Sequence, residues 1–205
     1  MAQRTLRRLK DKRHILPGRG NDGSVIYALA QSGTRRLREL GITATTGKDL
    51  VRSFSNTHFR HRCIANEIAI SCIVNGFRAS TEREIAQGLW IGGTKGIAGK
   101  SPDVLVRSGN KMYFVEVERS RRNAKDYKSL LIWAGKALQD HTRRDGPQLL
   151  PIGQVWSGII FICTTAFKNR LLHDLISNGW SQTVINALIS FETELYYFED
   201  TLFPK

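Results

Sequence analysis

Ser101-Pro-Asp-Val-Leu-Val-Arg-Ser-Gly-Asn-Lys-Met-Tyr-Phe-Val-Glu-Val-Glu-Arg119 reads as two short strands joined by a turn. Asp103 to Arg107 alternates polar and apolar, Ser108-Gly109-Asn110 is turn chemistry, and Met112 to Glu118 is β-branched and aromatic. Three carboxylates sit on this hairpin. Side chains alternate across a strand, so Glu116 and Glu118 point to one face, about 7 Å apart, and Asp103 opens the neighbouring strand. Like charges gathered on the inner hairpin of a sheet are costly unless a cation neutralises them. A hard divalent ion such as Mg²⁺, or Mn²⁺ in its place, does so with one or two carboxylates, waters and substrate phosphates.

The order Pro102-Asp103, twelve residues, then Glu116-Val117-Glu118 resembles the PD-(D/E)XK nucleases, whose active site is built on such a hairpin. The run Tyr113-Phe-Val-Glu-Val-Glu-Arg-Ser120, with Tyr127 following on a helix, is similar more narrowly to the replication-relaxation group and the MOBC-type plasmid relaxases. The lysine usual two residues after the first glutamate is here Glu118, a departure shared by some restriction enzymes of that fold. The resemblance implies an α/β, restriction-endonuclease-like αβββαβ core and catalytic roles for Asp103, Glu116 and Glu118, with Asp103 and Glu116 binding Mg²⁺ or Mn²⁺ and Glu118 completing the metal shell or taking a proton from the attacking water. It also implies that an acid of the first core helix, here Glu67, supports the site.

The composition agrees with a polyanionic partner. Lys and Arg number 31 against 18 Asp and Glu, a net charge of +13 with a pI near 10.1, so DNA is the leading candidate. No apolar run approaches the roughly 18 residues of a membrane span, and no signal-peptide pattern opens the chain. A cytoplasmic location is expected. Cys63, Cys72 and Cys163 are widely spaced among apolar neighbours and read as reduced core thiols.

Outward from the hairpin, residues 54-205 read as the nuclease-like domain and 1-45 as a basic DNA-binding segment. Thr5 to Ile15 has helical period, with Arg4, Arg7, Arg8, Lys10 and Arg13 around an apolar side. Pro17 to Gly23 reads as a turn and Ser24 to Ala30 as a strand. Ser32 is expected to cap a further helix ended by Gly41. Helix, hairpin, helix is the last part of a winged helix, and Tyr27-Ala-Leu-Ala-Gln-Ser-Gly-Thr-Arg-Arg-Leu37 resembles the wing and following helix of the replication-relaxation group. The segment is thus an N-terminal partial winged-helix-like one, or else a plain basic helical arm. Ile42 to Ser53 reads as a linker.

Thr57 to Asn75 reads as a helix apolar nearly all round, hence buried. Within it Glu67 is either a supporting acid or the ion-pair partner of Arg60 or Arg62. Trp90 to Lys100 is a glycine-rich run without Walker spacing, expected to be a flexible loop beside the scissile phosphate. Arg119, Arg121 and Arg122 offer phosphate contacts. Asn123 starts a helix to His141 on which Lys128 or Lys125 is a candidate for the charge missing at 118. Val155 to Cys163 reads as a buried strand, Phe167 to Ile176 as a helix and Ala187 to Phe198 as an edge strand.

These readings predict metal-dependent cleavage or nicking of DNA at a plasmid or mobile-element origin, with replication or mobilisation proteins as further partners. The rival is a non-catalytic DNA-binding accessory protein of the same fold. His58 and His61 lack the spacing of an HUH-type relaxase and read as helix surface. No RNP-like strand or KH-type loop points to RNA.

Overall fold

The computed structural model describes residues 2–19, 25–52, 56–118 and 123–194. The chain divides into two compact units, Met1–Arg60 and His61–Lys205.

In the first unit, helix α1 (Ala2–Asp11) leads into an antiparallel hairpin of β1 (Ile15–Arg19) and β2 (Val25–Leu29). Helix α2 (Gln31–Glu39) and the short α3 (Lys48–Arg52) follow. The amphipathic helix predicted to run to Ile15 stops earlier, and Ile15 turns inward as the buried first residue of β1. Pro17 and Gly18, which read as turn, lie inside that strand. A two-stranded ribbon has only edge strands, so the N–H that proline lacks is not missed. Ala30, not Ser32, caps α2; the Ser32 hydroxyl is instead donated to the Arg13 carbonyl. Gly33 packs so closely that a Cβ would lie 2.1 Å from the His14 carbonyl oxygen. The expected linker holds α3, tied back by Gly47 N–H and the Thr46 hydroxyl, both donated to the Leu29 carbonyl (2.9 and 3.1 Å).

Helix α4 (Asn56–Val74) spans the division, and the rest of the second unit is a mixed α/β domain on a five-stranded sheet. Its strands, β3 (Arg78–Thr81), β4 (Val104–Ser108), β5 (Lys111–Glu118), β6 (Val155–Cys163) and β7 (Ile189–Glu192), stand side by side in chain order. The first three form an antiparallel meander, and β6 and β7 add in parallel. Helix α5 (Glu82–Ala86) follows β3, α6 (Ala124–His141) makes the β5–β6 crossover, and α7 (Thr165–Ser177) and α8 (Gln182–Leu188) make the next.

Alternation along the strands gives each face its own core. Leu105, Met112, Phe114, Ile159 and Phe161 pack with α6, α7 and α8; Val104, Val106, Val115, Val117 and Ile162 pack with Ile64, Ala65 and Ala69 of α4. Each such fully buried side chain contributes about 1.5–3 kcal/mol of transfer free energy. Asn123 caps α6 by accepting the Asp126 N–H (2.9 Å), as its position in the sequence predicts. The loop after α6 is anchored on buried Asp140, which accepts from Gln148 N, Leu149 N and Trp156 Nε1.

Two expectations are corrected. Helix α4 buries only its sheet-facing side; Ile70, Ile73 and Val74 are 60%, 57% and 80% exposed. The segment 187–194, expected as strand throughout, begins in α8, whose Ser181 cap and the 184, 185, 188 spacing of its inward residues favour helix. Only Ile189–Glu192 is strand, at the sheet edge. No helix among the described residues is long and apolar enough to cross a membrane.

Candidate active site

The site lies where β4 begins and β5 ends. Gly109 at φ 60° closes the hairpin in a register that sets Val104 opposite Val115. Asp103 extends the pairing: its N–H is donated to the Val115 carbonyl (3.0 Å) and its Oδ2 accepts the Val117 N–H (2.7 Å). Its other oxygen, Oδ1, receives His61 Nε2 of α4 at 2.8 Å. The imidazole pKa is raised: burial pulls it down, but the bond to Asp103 and the charges of Asp103, Glu116 and Glu82 outweigh that.

Glu116 is 2% exposed, on the α6 face of the sheet, and its Oε2 lies 2.7 Å from Lys100 Nζ. Burial is the main influence on its carboxyl; Lys100 opposes it, Asp103 and Glu118 add to it, and the result is a pKa pushed up to about 8. Glu118, 4% exposed, is on the same side as Glu116 by strand alternation. It also bears on the neighbouring Cys163 thiol, which burial first and the Glu118 charge second push up to about 12. Asp103, Glu116, Lys100 and His61 are thus gathered, with Glu118 within electrostatic reach.

Lys100 arrives there on the glycine-rich loop, which hydrogen bonds tie to the body of the domain. Ile97 and Lys100 exchange backbone bonds (2.8 and 3.1 Å), and Trp133 Nε1 of α6 donates to the Ile97 carbonyl (2.9 Å). Gly96 at φ 67° makes the turn possible, since a Cβ would stand 2.2 Å from the Lys100 carbonyl oxygen. The Lys100 ammonium lies 5.9 Å from the ring centroids of both Phe114 and Trp133.

Other candidates lie elsewhere. Glu67 is exposed on α4, nearly two turns beyond His61, so the acid-site contact of that helix is a histidine rather than a carboxylate. Lys125 and Lys128 are exposed on α6, and the cation on Glu116 is Lys100. Arg4, Arg7, Arg8, Lys10 and Arg13 are exposed in the first unit. Arg119, Arg121 and Arg122 fall outside the described residues, as do Tyr196 and Tyr197. Tyr127 is buried with its hydroxyl donated to Asp174 (2.6 Å) under the Arg170 guanidinium, and burial foremost, then Asp174, raises its pKa. The three cysteines are free thiols.

His61 and Lys100 escaped the sequence reading. His61 looked like helix surface, and its pairing with a residue 42 positions on leaves no periodic mark; Lys100 was visible only as a lysine three residues before Asp103.

Among the described residues no three His, Cys, Asp or Glu side chains form a ready-made metal group. Asp103 and Glu116 supply two hard carboxylates, which is the protein share that Mg²⁺ needs when phosphates and water fill the rest of its octahedron. The donor set therefore fits Mg²⁺ or Mn²⁺. Compared with protein-family models, curated proteins and solved structures, the chain has no match.

Proposed function

We propose that the protein is a metal-dependent DNA endonuclease or nickase of the restriction-endonuclease-like build, acting as a relaxase-like enzyme at a plasmid or mobile-element origin. The observation that carries this reading is the 2.7 Å pair between Lys100 and buried Glu116, beside Asp103 at the mouth of the β4–β5 hairpin. A lysine reaching the glutamate from the preceding loop replaces the one that Glu118 displaces from the sequence motif. The strand order in which an antiparallel meander is extended by a parallel strand through α6 supports the same fold. The basic helix, hairpin and helix of the first unit support a partial winged-helix-like DNA-binding role.

Asp103 and Glu116 would hold Mg²⁺ or Mn²⁺, and when bound it would neutralise phosphate charge and acidify a water. Lys100 offers its ammonium to the phosphate from the side of Glu116. His61 fixes the Asp103 carboxylate, and Glu118, on the side of Glu116, would complete the metal shell or accept a proton from the attacking water. Incubating supercoiled plasmid with the protein and Mn²⁺ tests the reading: nicked circles that vanish with Glu116→Gln, while DNA retardation persists, support it.

One observation favours the second reading, a DNA-binding accessory protein without catalysis. Both Asp103 oxygens and Glu116 Oε2 already have protein donors. Retardation of origin DNA with no nicking in either metal would select that reading.

A further inference from the structure

A cavity of ≈ 350 Å³ opens between the glycine-rich loop and α6, and Lys100, the partner of Glu116, forms part of its wall. That volume is at the low end of small-ligand pockets, roughly 300–1,000 Å³, and far below what a duplex occupies. Of the six lining positions on α6, 126, 129, 130, 133 and 136 recur at i, i+3, i+4, i+7 and i+10, with Ile132 beside them. They make a single stripe about 15 Å long at 1.5 Å per residue.

The stripe changes chemistry along its length. Near the start of α6, Asp126 and Ser129 present acceptors: the Ser129 hydroxyl is donated to the Lys125 carbonyl (3.1 Å), leaving its lone pairs for a ligand, and Asn123 Nδ2 fixes the Asp126 carboxylate (2.8 Å). Further along are cations, Lys136 on the helix and Lys100 across from it. Between them the apolar contact that solvent reaches is Ile132, 52% exposed, above a floor of the buried Leu130 and Trp133, whose indole N–H is donated to Ile97. Acceptors, an apolar contact at Ile132 and the Lys136 ammonium, with the Glu116-paired Lys100 across from it, match a base edge with N–H donors, a base and a phosphate.

We infer that this slot takes one unpaired deoxynucleotide of the DNA strand, next to the phosphodiester at Lys100. The inference rests on the nuclease reading for its choice of DNA as ligand. A base paired in a duplex cannot enter, so the strand served by the site is single-stranded or locally opened there.

Binding, not cleavage, tests it. Full-length Glu116→Gln protein is titrated with each deoxynucleoside 5′-monophosphate and with 2-deoxyribose 5-phosphate, read by tryptophan fluorescence and by shifts in the NMR spectrum. Saturable binding is expected for at least one nucleotide and about tenfold weaker for the sugar phosphate. Ser129→Trp, which fills the slot, weakens nucleotide binding by about tenfold while duplex retardation is unchanged; Lys136→Glu, at an exposed position, gives a second measure should Ser129→Trp misfold. No saturation with any nucleotide up to about 10 mM, or equal binding in both variants, overturns the inference. Plasmid nicking without nucleotide binding would remove this slot and keep the nuclease. Nucleotide binding without nicking would do the opposite.

Discussion

The two units carry charge in opposite ways. Met1–Arg60 holds thirteen of the 31 Lys and Arg and four of the 18 Asp and Glu, so +9 of the net +13 lies in fewer than a third of the residues. Among its described residues only Ile15 and Ala30 are buried apolar side chains. His61–Lys205 carries the remaining +4, two cores, and acids sealed to 2% and 4% exposure. Exposed charge acts over about 10 Å in 0.1 M salt and is screened beyond it, whereas a buried pair is screened little and acts through geometry. On the proposed reading, the first unit would supply salt-sensitive attraction to DNA and the second the short-range chemistry.

The sharpest way to break that division is Glu116→Gln. Metal-dependent nicking is expected to fall by at least about a thousandfold in a plasmid assay, with affinity for DNA unchanged; joint loss of both would mean that the units do not divide the work. Next, affinity measured from 50 to 200 mM salt is expected to fall about a thousandfold if the first unit makes some six phosphate contacts. Replacing Arg4, Arg7 and Arg8 with alanine lowers the slope of log affinity against log salt by about 3, and Lys100→Ala by no more than about 1. Within the second unit, Asp140→Ala removes the acceptor shared by Gln148 N, Leu149 N and the buried Trp156 indole and costs roughly 2 kcal/mol in urea unfolding, with no effect on the salt slope.

A smaller effect is pH-dependent. Glu116 rises from 4.5 to about 8 on folding. Its contribution to stability is therefore complete below 4.5 and is lost as pH climbs through 8. In metal-free buffer Glu116→Gln should melt a few degrees above the parent at pH 9, on the order of 3 °C, with the gap closing toward pH 5. The smallest is Tyr127→Phe, which removes the bond to Asp174 and costs about 1 kcal/mol. Nicking should survive it; a loss of nicking at unchanged stability would make this hydroxyl a participant.

The hairpin and its three acids were legible because alternation, a Ser-Gly-Asn turn and β-branched residues all speak locally. The same holds for α6, announced by Asn123. Local signals misled where context overrode them: Pro17-Gly18 looked like a turn until Tyr27 and Ile26 paired across from it, and α4 looked buried because its apolar residues outnumber the places the sheet offers them. The partners of the acids were least legible. His61 lies on a helix and Lys100 in a loop, and only the closed sheet brings either to Asp103 or Glu116.

That closure has a consequence for fragments. The pairs His61–Asp103 and Lys100–Glu116 interlock along the chain, the second opening before the first has ended. A break anywhere between 61 and 116 thus cuts through at least one of them, and no proteolytic piece bounded inside that interval inherits the whole constellation. On the proposed reading, a chain nicked between 61 and 116 should consequently yield no separated fragment that nicks plasmid by itself.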